Sequence, residues 1–367
     1  MNKINRQAIL GAITAAAAAV PGRTPKDILK GVLISGSHNE IEIVGTDQEI
    51  GLRVKITTEE KLTPFEVVVN PGKLQAILRE STDEFVSIDV DRDVMKVVLS
   101  NGRFKIMTED AREFPPVPVF DEEKFWSIPG TVLSSMIKRT EFACDSESTR
   151  YALGGALFEV ENGKLTVAAT DSRRLAVATA AIENQNEAKM PEKKTVVPAK
   201  ALRLVKSLAE SSTTVNIAFH DNDLMVSFGN STLYTRLVEG RFPRYRDVIP
   251  RKQPIHVPIA VGPLFRAVRQ AQIVTDEEHR GVVFKFGDSL MKLASIATIG
   301  SSDVEVPIEY DGEAMEITLD PVYIADVLKV LPQEAVVDLN MTDAETAIVF
   351  TVDDSYTYVV MPLANDR

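Results

Sequence analysis

The pattern of apolar and polar positions repeats three times along the chain, with a period of about 125 residues. In each copy an apolar run ends at a proline, and apolar residues at three- and four-residue spacing follow. This pattern predicts a strand leading into an amphipathic helix, because proline at the first helical position loses no hydrogen bond. The three junctions lie at 66–74, 195–202 and 316–323, with Pro71, Pro198 and Pro321.

A second periodic helix is predicted near the start of each copy, over 7–20, 129–142 and 262–274. Apolar or alternating runs such as 41–44, 164–169 and 347–352 are typical of strands, which outnumber the helices. Proline-rich stretches at 114–118 and 248–254 would interrupt strand pairing, so we place the domain boundaries near 122 and 252. The predicted domains are 1–122, 123–252 and 253–367, each an α+β unit with two helices packed on antiparallel sheets.

The composition is that of a folded protein: 44% of the 367 residues are hydrophobic and 26% are charged. The single cysteine, Cys144, excludes an internal disulfide framework, and the first residues lack the apolar core of a signal peptide. The longest apolar stretch, 8–20, is too short to cross a bilayer. We therefore expect a cytoplasmic protein without a membrane partner.

The net charge of −12, from 53 acidic and 41 basic residues, argues against an anionic partner unless basic side chains are concentrated locally. Two stretches, 6–26 and 257–275, contain no aspartate or glutamate. Basic residues at helical spacing, or elsewhere on predicted helices, are Lys200, Arg203, Lys206, Arg266, Arg269, Lys73, Arg79, Lys138, Arg139 and Lys329. Basic helix faces in all three domains would follow phosphates without reading sequence. Ordinary solvated helix faces are the alternative.

Four stretches carry a family resemblance: TRYALGG at 149–155, ATDSRRLA at 169–176, EGRFPRYR at 239–246 and YVVMPL at 358–363. With the threefold period, they make the whole chain resemble the beta subunit of bacterial DNA polymerase III, the sliding-clamp family. The resemblance implies three DNA-clamp domains forming half of a ring, and a head-to-tail homodimer whose helices face duplex DNA. It also implies a processivity subunit without catalysis or cofactor, which tethers the DNA polymerase III catalytic subunit and other replication and repair proteins. A clamp loader would open the ring.

The resemblance implies particular site residues as well. Positions that contact DNA in the family correspond to Arg23, Tyr151 and Lys200, and helical spacing adds Arg203, Lys206, Arg266 and Arg269. Positions of a groove for clamp-binding peptides correspond to Leu153, Thr170, Ser172, Arg173, Arg174, Leu175, Pro243, Val248, Val359, Met361, Pro362 and Leu363. Apolar subunit contacts correspond to Phe104, Ile106, Ile273 and Val274. Core packing is the alternative for the apolar members of both sets.

The chain departs from the family pattern at Asp247, where a basic residue is common, and in its tail, residues 364–367. Both departures fall on the segments that would supply the peptide groove. We therefore expect the charge of the groove rim and its peptide preference to depart from the family pattern.

A carboxylate cluster at 89–93 suggests a different class of protein, a metal-dependent hydrolase or nucleotidyl transferase. Polar residues at the equivalent positions 220–223 and 342–345 favour hairpin turns instead. The histidines show no ligand spacing, Cys144 has no histidine near it in sequence, and there is no glycine-rich phosphate loop. We expect neither metal nor cofactor. Besides the enzyme, a scaffold that binds only proteins is the remaining rival hypothesis.

Overall fold

The computed structural model describes residues 1–120, 123–145, 151–276 and 278–363, with the backbone alone at Tyr151. Within them the chain forms six α-helices: α1 (Arg6–Ala17), α2 (Pro71–Glu80), α3 (Gly130–Lys138), α4 (Ala199–Glu210), α5 (Val261–Ala271) and α6 (Pro321–Val330). The described strands are β1 (Asn2–Asn5), β2 (Val32–Thr46), β3 (Ile50–Val69), β4 (Phe85–Asp91), β5 (Val94–Val98), β6 (Arg103–Met107), β7 (Phe125–Pro129), β8 (Gly155–Glu161), β9 (Lys164–Thr170), β10 (Arg174–Ala181), β11 (Glu183–Gln185), β12 (Thr195–Pro198), β13 (Thr214–Phe219), β14 (Asp223–Phe228), β15 (Ser231–Arg236), β16 (Ile255–Ala260), β17 (Val282–Gly287), β18 (Leu290–Ala297), β19 (Gly300–Pro307), β20 (Met315–Leu319), β21 (Val336–Met341), β22 (Ile348–Asp353) and β23 (Tyr356–Val360).

The element order confirms the threefold repeat. Each copy begins with a short strand and a helix, continues with further strands, and ends with a second helix followed by three strands. Short 3-10 turns, Glu141–Ala143 and Gln272–Val274, follow the opening helices of the second and third copies. Strands outnumber helices, as predicted from the alternating runs.

Side chains at the helix starts explain where several helices begin. The Asn5 side chain accepts a hydrogen bond from the Ala8 amide at 3.0 Å, which caps α1. Asn70 caps α2 and Asp320 caps α6, and in both helices the predicted proline occupies the first turn. The second junction differs by one residue, because Pro198 still pairs with Gly155 in the sheet and α4 begins only afterwards.

The chain packs as two compact units, which divide the middle copy between them. The first unit comprises Met1–Thr131, Glu183–Pro191 and Ser207–Leu237. It contains a four-stranded antiparallel sheet, sheet A, of order β1-β4-β5-β6, and a seven-stranded sheet, sheet B, of order β11-β7-β13-β14-β15-β3-β2. Helix α1 packs against α2, β2 and β3. The buried face of these helices is apolar and includes Ile9, Ile13 and Leu74.

The second unit comprises Val132–Ile182, Glu192–Lys206 and Val238–Arg367. It contains an eight-stranded sheet, sheet C, of order β12-β8-β9-β10-β23-β22-β21-β16, and a four-stranded sheet, sheet D, of order β19-β18-β17-β20. Helix α5 packs against α6 and against β18 and β19. All strand pairs in sheets C and D are antiparallel.

Sheets B and C each join strands of two successive copies. In sheet B the last strand of the second copy, β15, pairs with β3 of the first copy, with Leu233 opposite Leu52. In sheet C the last strand of the third copy, β23, pairs with β10 of the second, with Val359 opposite Leu175. Sheets A and D have strands of one copy only, and in the described chain β6 and β19 are edge strands. The domain boundaries near 122 and 252 stay a prediction.

The carboxylate cluster at 89–93 forms a hairpin turn, as the repeat predicted. Asp91 ends β4, Arg92 takes a left-handed conformation with φ 55°, and Asp91 pairs with Lys96 at 2.8 Å. The equivalent stretches 220–223 and 342–345 also connect neighbouring strands. In the described part of the chain, no three or more His, Cys, Asp or Glu residues are grouped to hold a metal ion. Likewise, no described helix is both long and apolar enough for a membrane span.

Close packing of α1 on β2 gives a stability prediction. A Cβ atom at Gly45 would collide with the carbonyl oxygen of Ala16 in the helix, whereas one at Gly11 would meet no atom within 4 Å. We expect Gly45→Ala to lower the free energy of unfolding by about 1–3 kcal/mol, because neither backbone can move away. Gly11→Ala is the matched control and should raise it by about 0.5–1 kcal/mol through helix propensity. Urea denaturation measures both, and equal effects of the two substitutions would contradict this packing.

Candidate functional site

Helix α4 presents basic side chains on the face opposite its buried residues. Arg203 is exposed and Lys200 is half-buried, while Leu202 and Val205 are buried in the core. This agrees with the predicted division of the helix into two faces. Lys206 differs, because its ammonium group forms an ion pair with Glu141 and is therefore locally neutralised.

Helix α5 has the same arrangement in the second unit. Arg266 and Arg269 are exposed, and the buried side is formed by Leu264, Ala267 and Val268. The Arg269 guanidinium lies 5.8 Å from the ring centroid of Phe265, a cation–π contact that holds the side chain along the helix. Cations predicted on the other helices are exposed at Lys73, Arg79, Lys138 and Lys329 and half-buried at Arg139.

The acid-free stretch at 6–26 is less basic on its surface than its sequence suggests. Arg6 is used internally: its guanidinium donates to the carbonyl oxygens of Asp83 at 2.5 Å and Leu78 at 3.0 Å, at the end of α2. The exposed residues of α1 are consequently uncharged, for example Gln7 and Thr14. Arg23, in the segment that follows α1, is exposed.

Tyr151 begins the short 3-10 helix Tyr151–Leu153, but its side chain lies outside the described residues. Its predicted contact with DNA stays a prediction. Residues 146–150, which include part of the TRYALGG stretch, and the tail 364–367 also lie outside the described residues.

One face of sheet C carries most of the predicted peptide groove. Leu175 lies opposite both Val359 and Thr170 in the strand register, and all three are buried. Leu175 and Val359 belong to a buried apolar cluster that also includes Phe242 and Tyr245 of the segment after β15. Leu153 is buried as well. These buried positions are therefore core residues. They lie next to other positions of the predicted groove that are more exposed.

Exposed apolar residues adjoin this cluster. The Val248 side chain, at the end of the 3-10 helix Tyr245–Val248, is 56% exposed, and Met361 is 48% exposed. Pro243 is exposed, and Pro362 and Leu363 are half-buried. Backbone hydrogen bonds fix the last segment: the Met361 amide donates to the Arg173 carbonyl at 3.0 Å, and the Leu363 amide donates to that of Thr318 at 2.9 Å. Exposed apolar side chains on a rigid backbone can accept the hydrophobic anchors of a peptide.

The turn from Thr170 to Arg174 is fixed by its own polar side chains. The Thr170 hydroxyl donates to the Arg174 carbonyl at 2.6 Å, and the Asp171 carboxylate accepts from the amides of Arg173 and Arg174. Ser172 has a φ of 76°, in the left-handed region. In the first copy the turn at 46–50 has the same hydrogen bonds. Thr170 thus stabilises the turn, and only Ser172 and Arg173 present exposed side chains there.

Arg174 lies on the opposite face of sheet C from Leu175, because successive strand residues alternate. Its side chain is only 10% exposed and donates to Asp171 at 2.9 Å, to Asp326 on α6 at 2.7 Å and to the Phe142 carbonyl at 2.9 Å. The guanidinium also lies 4.6 Å from the ring centroid of Tyr323. Burial opposes its charge, but Tyr358 and the two carboxylates raise the pKa of Arg174 above its ordinary value. Arg174 therefore connects the turn to α6.

The predicted subunit contacts lie at the edges of the two small sheets. Phe104, on the edge strand β6 of sheet A, is 39% exposed, and Ile106 is half-buried. In the second unit Ile273 is 73% exposed and Val274 is half-buried. Ser295 and Ser302, on β18 and β19, donate hydrogen bonds to the Ala271 carbonyl, which ties the end of α5 to the edge of sheet D.

Several exposed residues of these surfaces were not predicted from the sequence. They are Met107 on β6, Ile296 and Ile299 at the β18–β19 hairpin, and the arginines Arg241 and Arg244 beside Pro243. Alternation along a strand does not distinguish a side chain facing the core from one at an open edge. The arginines could have been noticed, since they lie within the EGRFPRYR stretch.

The only cysteine does not have the properties of a nucleophile. Burial raises the pKa of the Cys144 thiol to about 12, and the Glu141 carboxylate contributes to the shift. The thiol therefore stays protonated near neutral pH, where a thiolate would be needed for attack.

Comparisons with known proteins cover nearly the whole chain. Residues 2–118, 127–244 and 246–364 match the N-terminal, central and C-terminal domains of the DNA polymerase III beta subunit family. The beta sliding clamp of Pseudomonas aeruginosa is 31% identical over 366 residues, covering 98% of each chain, and that of Vibrio cholerae is 30% identical over 365 residues with the same coverage. A crystal structure of the DNA polymerase III subunit beta from Pseudomonas aeruginosa aligns with a TM-score of 0.90 at 28% identity, covering 98% of this chain and 99% of that one. A structure of that organism's clamp bound to griselimycin aligns with a TM-score of 0.92 at 28% identity, covering 99% and 98%.

The buried Arg174 gives a prediction about the turn. We expect Arg174→Met to lower the free energy of unfolding by about 3 kcal/mol, because it leaves the carboxylates of Asp171 and Asp326 without their buried cation. The neighbouring Arg173→Met changes an exposed side chain and should alter stability by less than about 0.5 kcal/mol. Urea denaturation of the full chain provides the measurement. If the two variants unfolded at the same urea concentration, Arg174 would not hold the turn.

Proposed function

The chain belongs to the DNA polymerase III beta subunit family, the bacterial sliding clamps, and on this premise we propose how its residues perform the role. It is a DNA sliding clamp of replication, a processivity subunit rather than an enzyme. In our proposal two chains close head to tail around duplex DNA. A peptide groove on each chain tethers the DNA polymerase III catalytic subunit and other replication and repair proteins.

We propose that DNA is held through its phosphates by the basic helix faces. Arg23, Lys200, Arg203, Arg266 and Arg269 are the contact residues, and the exposure of the four arginines supports this. Lys206 contributes less, because Glu141 already neutralises it. Phosphate contacts carry no sequence information, so the clamp can move along DNA without preferred stopping points. The uncharged face of α1 adds no further attraction. Tyr151 remains a candidate contact.

The ring would close by the strand pairing that already joins successive copies. The last strand of one copy pairs with a strand of the preceding copy in both sheets B and C, as β15 with β3 and β23 with β10. By position in the repeat, β6 corresponds to β15 and β23, and β19 corresponds to β3 and β10. Pairing β6 of one chain with β19 of another would therefore extend the same contact between chains. Such a heterologous contact closes a ring when its rotation allows.

The side chains at these edges support the pairing of one chain with another. Edge strands carry unpaired amide and carbonyl groups, which a neighbouring strand can satisfy. Apolar residues adjoin both edges, with Phe104 and Met107 on β6 and Ile273 near β19. The exposed polar residues are opposite in charge, with Arg103 and Lys105 on β6 and Asp303 and Glu305 on β19.

Two rival functions lack support from particular residues. A metal-dependent enzyme would need the cluster at Asp91, but this cluster forms a hairpin turn with Asp91 paired to Lys96. A scaffold that binds only proteins gives no reason for exposed cations on α4 and α5 in a chain of net charge −12. We propose that the clamp works in the cytoplasm and that a separate clamp loader opens the ring.

Retention on DNA tests the proposed function. Clamp loaded by a clamp loader onto nicked circular DNA should stay bound through gel filtration and should be lost once the DNA is linearised. Arg203→Glu combined with Arg266→Glu should lower the direct affinity of the clamp for duplex DNA, measured separately by fluorescence anisotropy, at least tenfold at low salt, because two phosphate contacts are lost and two negative charges are added. Lys164→Glu combined with Lys189→Glu, which changes the net charge equally on other exposed positions, should have little effect. Equal loss from circular and linear DNA would contradict an encircling clamp.

The mass in solution tests ring closure separately. Light scattering should give twice the chain mass of 40.3 kDa for the unmodified protein. Phe104→Asp should shift it toward a single chain, because a carboxylate would be buried in the apolar contact. Val322→Asp, another exposed apolar position, is the control and should leave the dimer intact. A monomeric unmodified protein would exclude the closed ring.

A further inference from the structure

Basic side chains are concentrated in the segment that covers the apolar face of sheet C. Residues 241–252 contain Arg241, Arg244, Arg246, Arg251 and Lys252, with Asp247 as the single acid. The whole chain has a net charge of −12, so this segment is an exception to its surroundings. All six charged side chains are exposed.

The cations of this segment differ in their partners. The Arg246 guanidinium contacts Glu159 at 3.1 Å and Glu161 at 3.3 Å, and it lies 5.1 Å from the ring centroid of Tyr245. This cation is therefore neutralised by the protein. Arg241 and Arg244 are exposed and form no ion pair within the described residues.

Arg173 adds a third exposed cation from the turn before β10. It has no side-chain ion pair among the described residues, and its carbonyl accepts a hydrogen bond from the Met361 amide at 3.0 Å. Arg173 therefore lies next to one of the two most exposed apolar residues of the groove. We define the rim cations as Arg173, Arg241 and Arg244.

The rim cations are interleaved with the apolar residues that would hold a peptide. Arg241 and Arg244 lie on either side of Phe242 and Pro243 in the sequence. The preceding Gly240 packs near Ala152, because a Cβ atom at Gly240 would lie 3.6 Å from the Ala152 backbone nitrogen. Ala152 is next to Leu153 in the sequence. Asp247 precedes Val248, and its amide donates to the Arg244 carbonyl at 3.0 Å. Positive charge therefore lies beside Pro243 and Met361, and negative charge lies beside Val248.

We propose that the rim cations select partner peptides with carboxylates flanking their hydrophobic anchors, and that Asp247 disfavours such carboxylates at the Val248 side. The inference rests on the proposed groove and specifies the chemistry of its partner. It is also consistent with a rim that is positively charged despite Asp247. Arg244 and Arg173 supply the charge from neighbouring positions.

The surroundings favour a peptide over DNA as the occupant. Arg174 contacts α6 on one face of sheet C, whereas Leu175 packs with Phe242 and Tyr245 on the other. Arg241 and Arg244, which flank Phe242, thus lie on the face opposite α6, away from the helix that carries Lys329. The exposed apolar residues between the cations match a peptide with apolar side chains. A phosphate backbone has no apolar groups that could pack against them.

Fluorescence polarisation with the full-length protein tests the proposal. Three short labelled peptides share the same pair of large apolar side chains: one has aspartates on one flank, one has them on the other flank, and one has asparagines instead. At low salt the acidic peptide whose aspartates reach the rim cations should bind about five- to tenfold more tightly than the asparagine peptide, as expected for several exposed ion pairs together. The other acidic peptide should gain less. The preference should fall below about twofold at high salt, because exposed charges are screened.

Variants identify the residues responsible. Arg241→Gln combined with Arg244→Gln, and separately Arg173→Gln, should reduce the preference for the acidic peptide, measured in each variant as the ratio of its affinity to that of the asparagine peptide. Lys164→Gln removes an exposed cation from elsewhere in the second unit and should preserve the preference. Asp247→Asn should reduce the difference between the two acidic peptides.

The outcomes separate this inference from the function on which it rests. Equal binding of all three peptides would overturn the rim preference and leave the groove intact. Failure of every peptide to bind would overturn the groove itself, and with it the inference. Displacement of bound peptide by duplex DNA at equal charge concentration would also overturn the proposal, because the rim would then be a phosphate site.

Discussion

Strand pairing across the boundaries between copies is the interaction on which the rest of the structure depends. A strand edge exposes amide and carbonyl groups that must find partners, and in sheets B and C a strand of one copy satisfies those of the next. Hydrogen bonds between β15 and β3, and between β23 and β10, join strands of successive copies into the same sheet. The same arrangement leaves unsatisfied edges at β6 and β19 of the described chain. The proposed head-to-tail assembly would extend between chains the pairing that already joins successive copies within one chain.

The same pairing brings together the residues of the proposed peptide groove. Leu175 and Val359 face one another because strands of the second and third copies meet there, and neither copy alone would contain the pair. The segment after β15 then covers this face with Phe242 and Tyr245, whose hydroxyl donates to Glu159 at 3.0 Å. Burial, together with that carboxylate, raises the pKa of Tyr245 and keeps the hydroxyl a donor. The proposed groove therefore depends on the junction, with buried apolar residues beneath it and exposed charged side chains at its rim.

Much of the fold could be predicted because its signals are local. The prolines at 71 and 321 begin helices, the polar clusters at 89–93 and 220–223 form turns, and the ATD motif at 169–171 repeats the geometry of its counterpart at 45–47. The roles of single charges could not be predicted in this way. Arg6 holds the end of α2, Lys206 is neutralised by Glu141, and Arg174 reaches Asp326, which is 152 residues away in sequence. Each of these side chains has the same helical or strand spacing as cations that remain exposed.

The sequence by itself therefore determined the threefold repeat, the helices and strands within each copy, and membership of the clamp family. These properties depend on periodicity, capping and short motifs, all of which are encoded by residues near one another. Only the tertiary structure decided which copies share a sheet, which arginines are buried and which stay exposed, and where apolar side chains remain uncovered at an edge. These features depend on contacts between residues far apart in the chain, whose energies no local pattern contains.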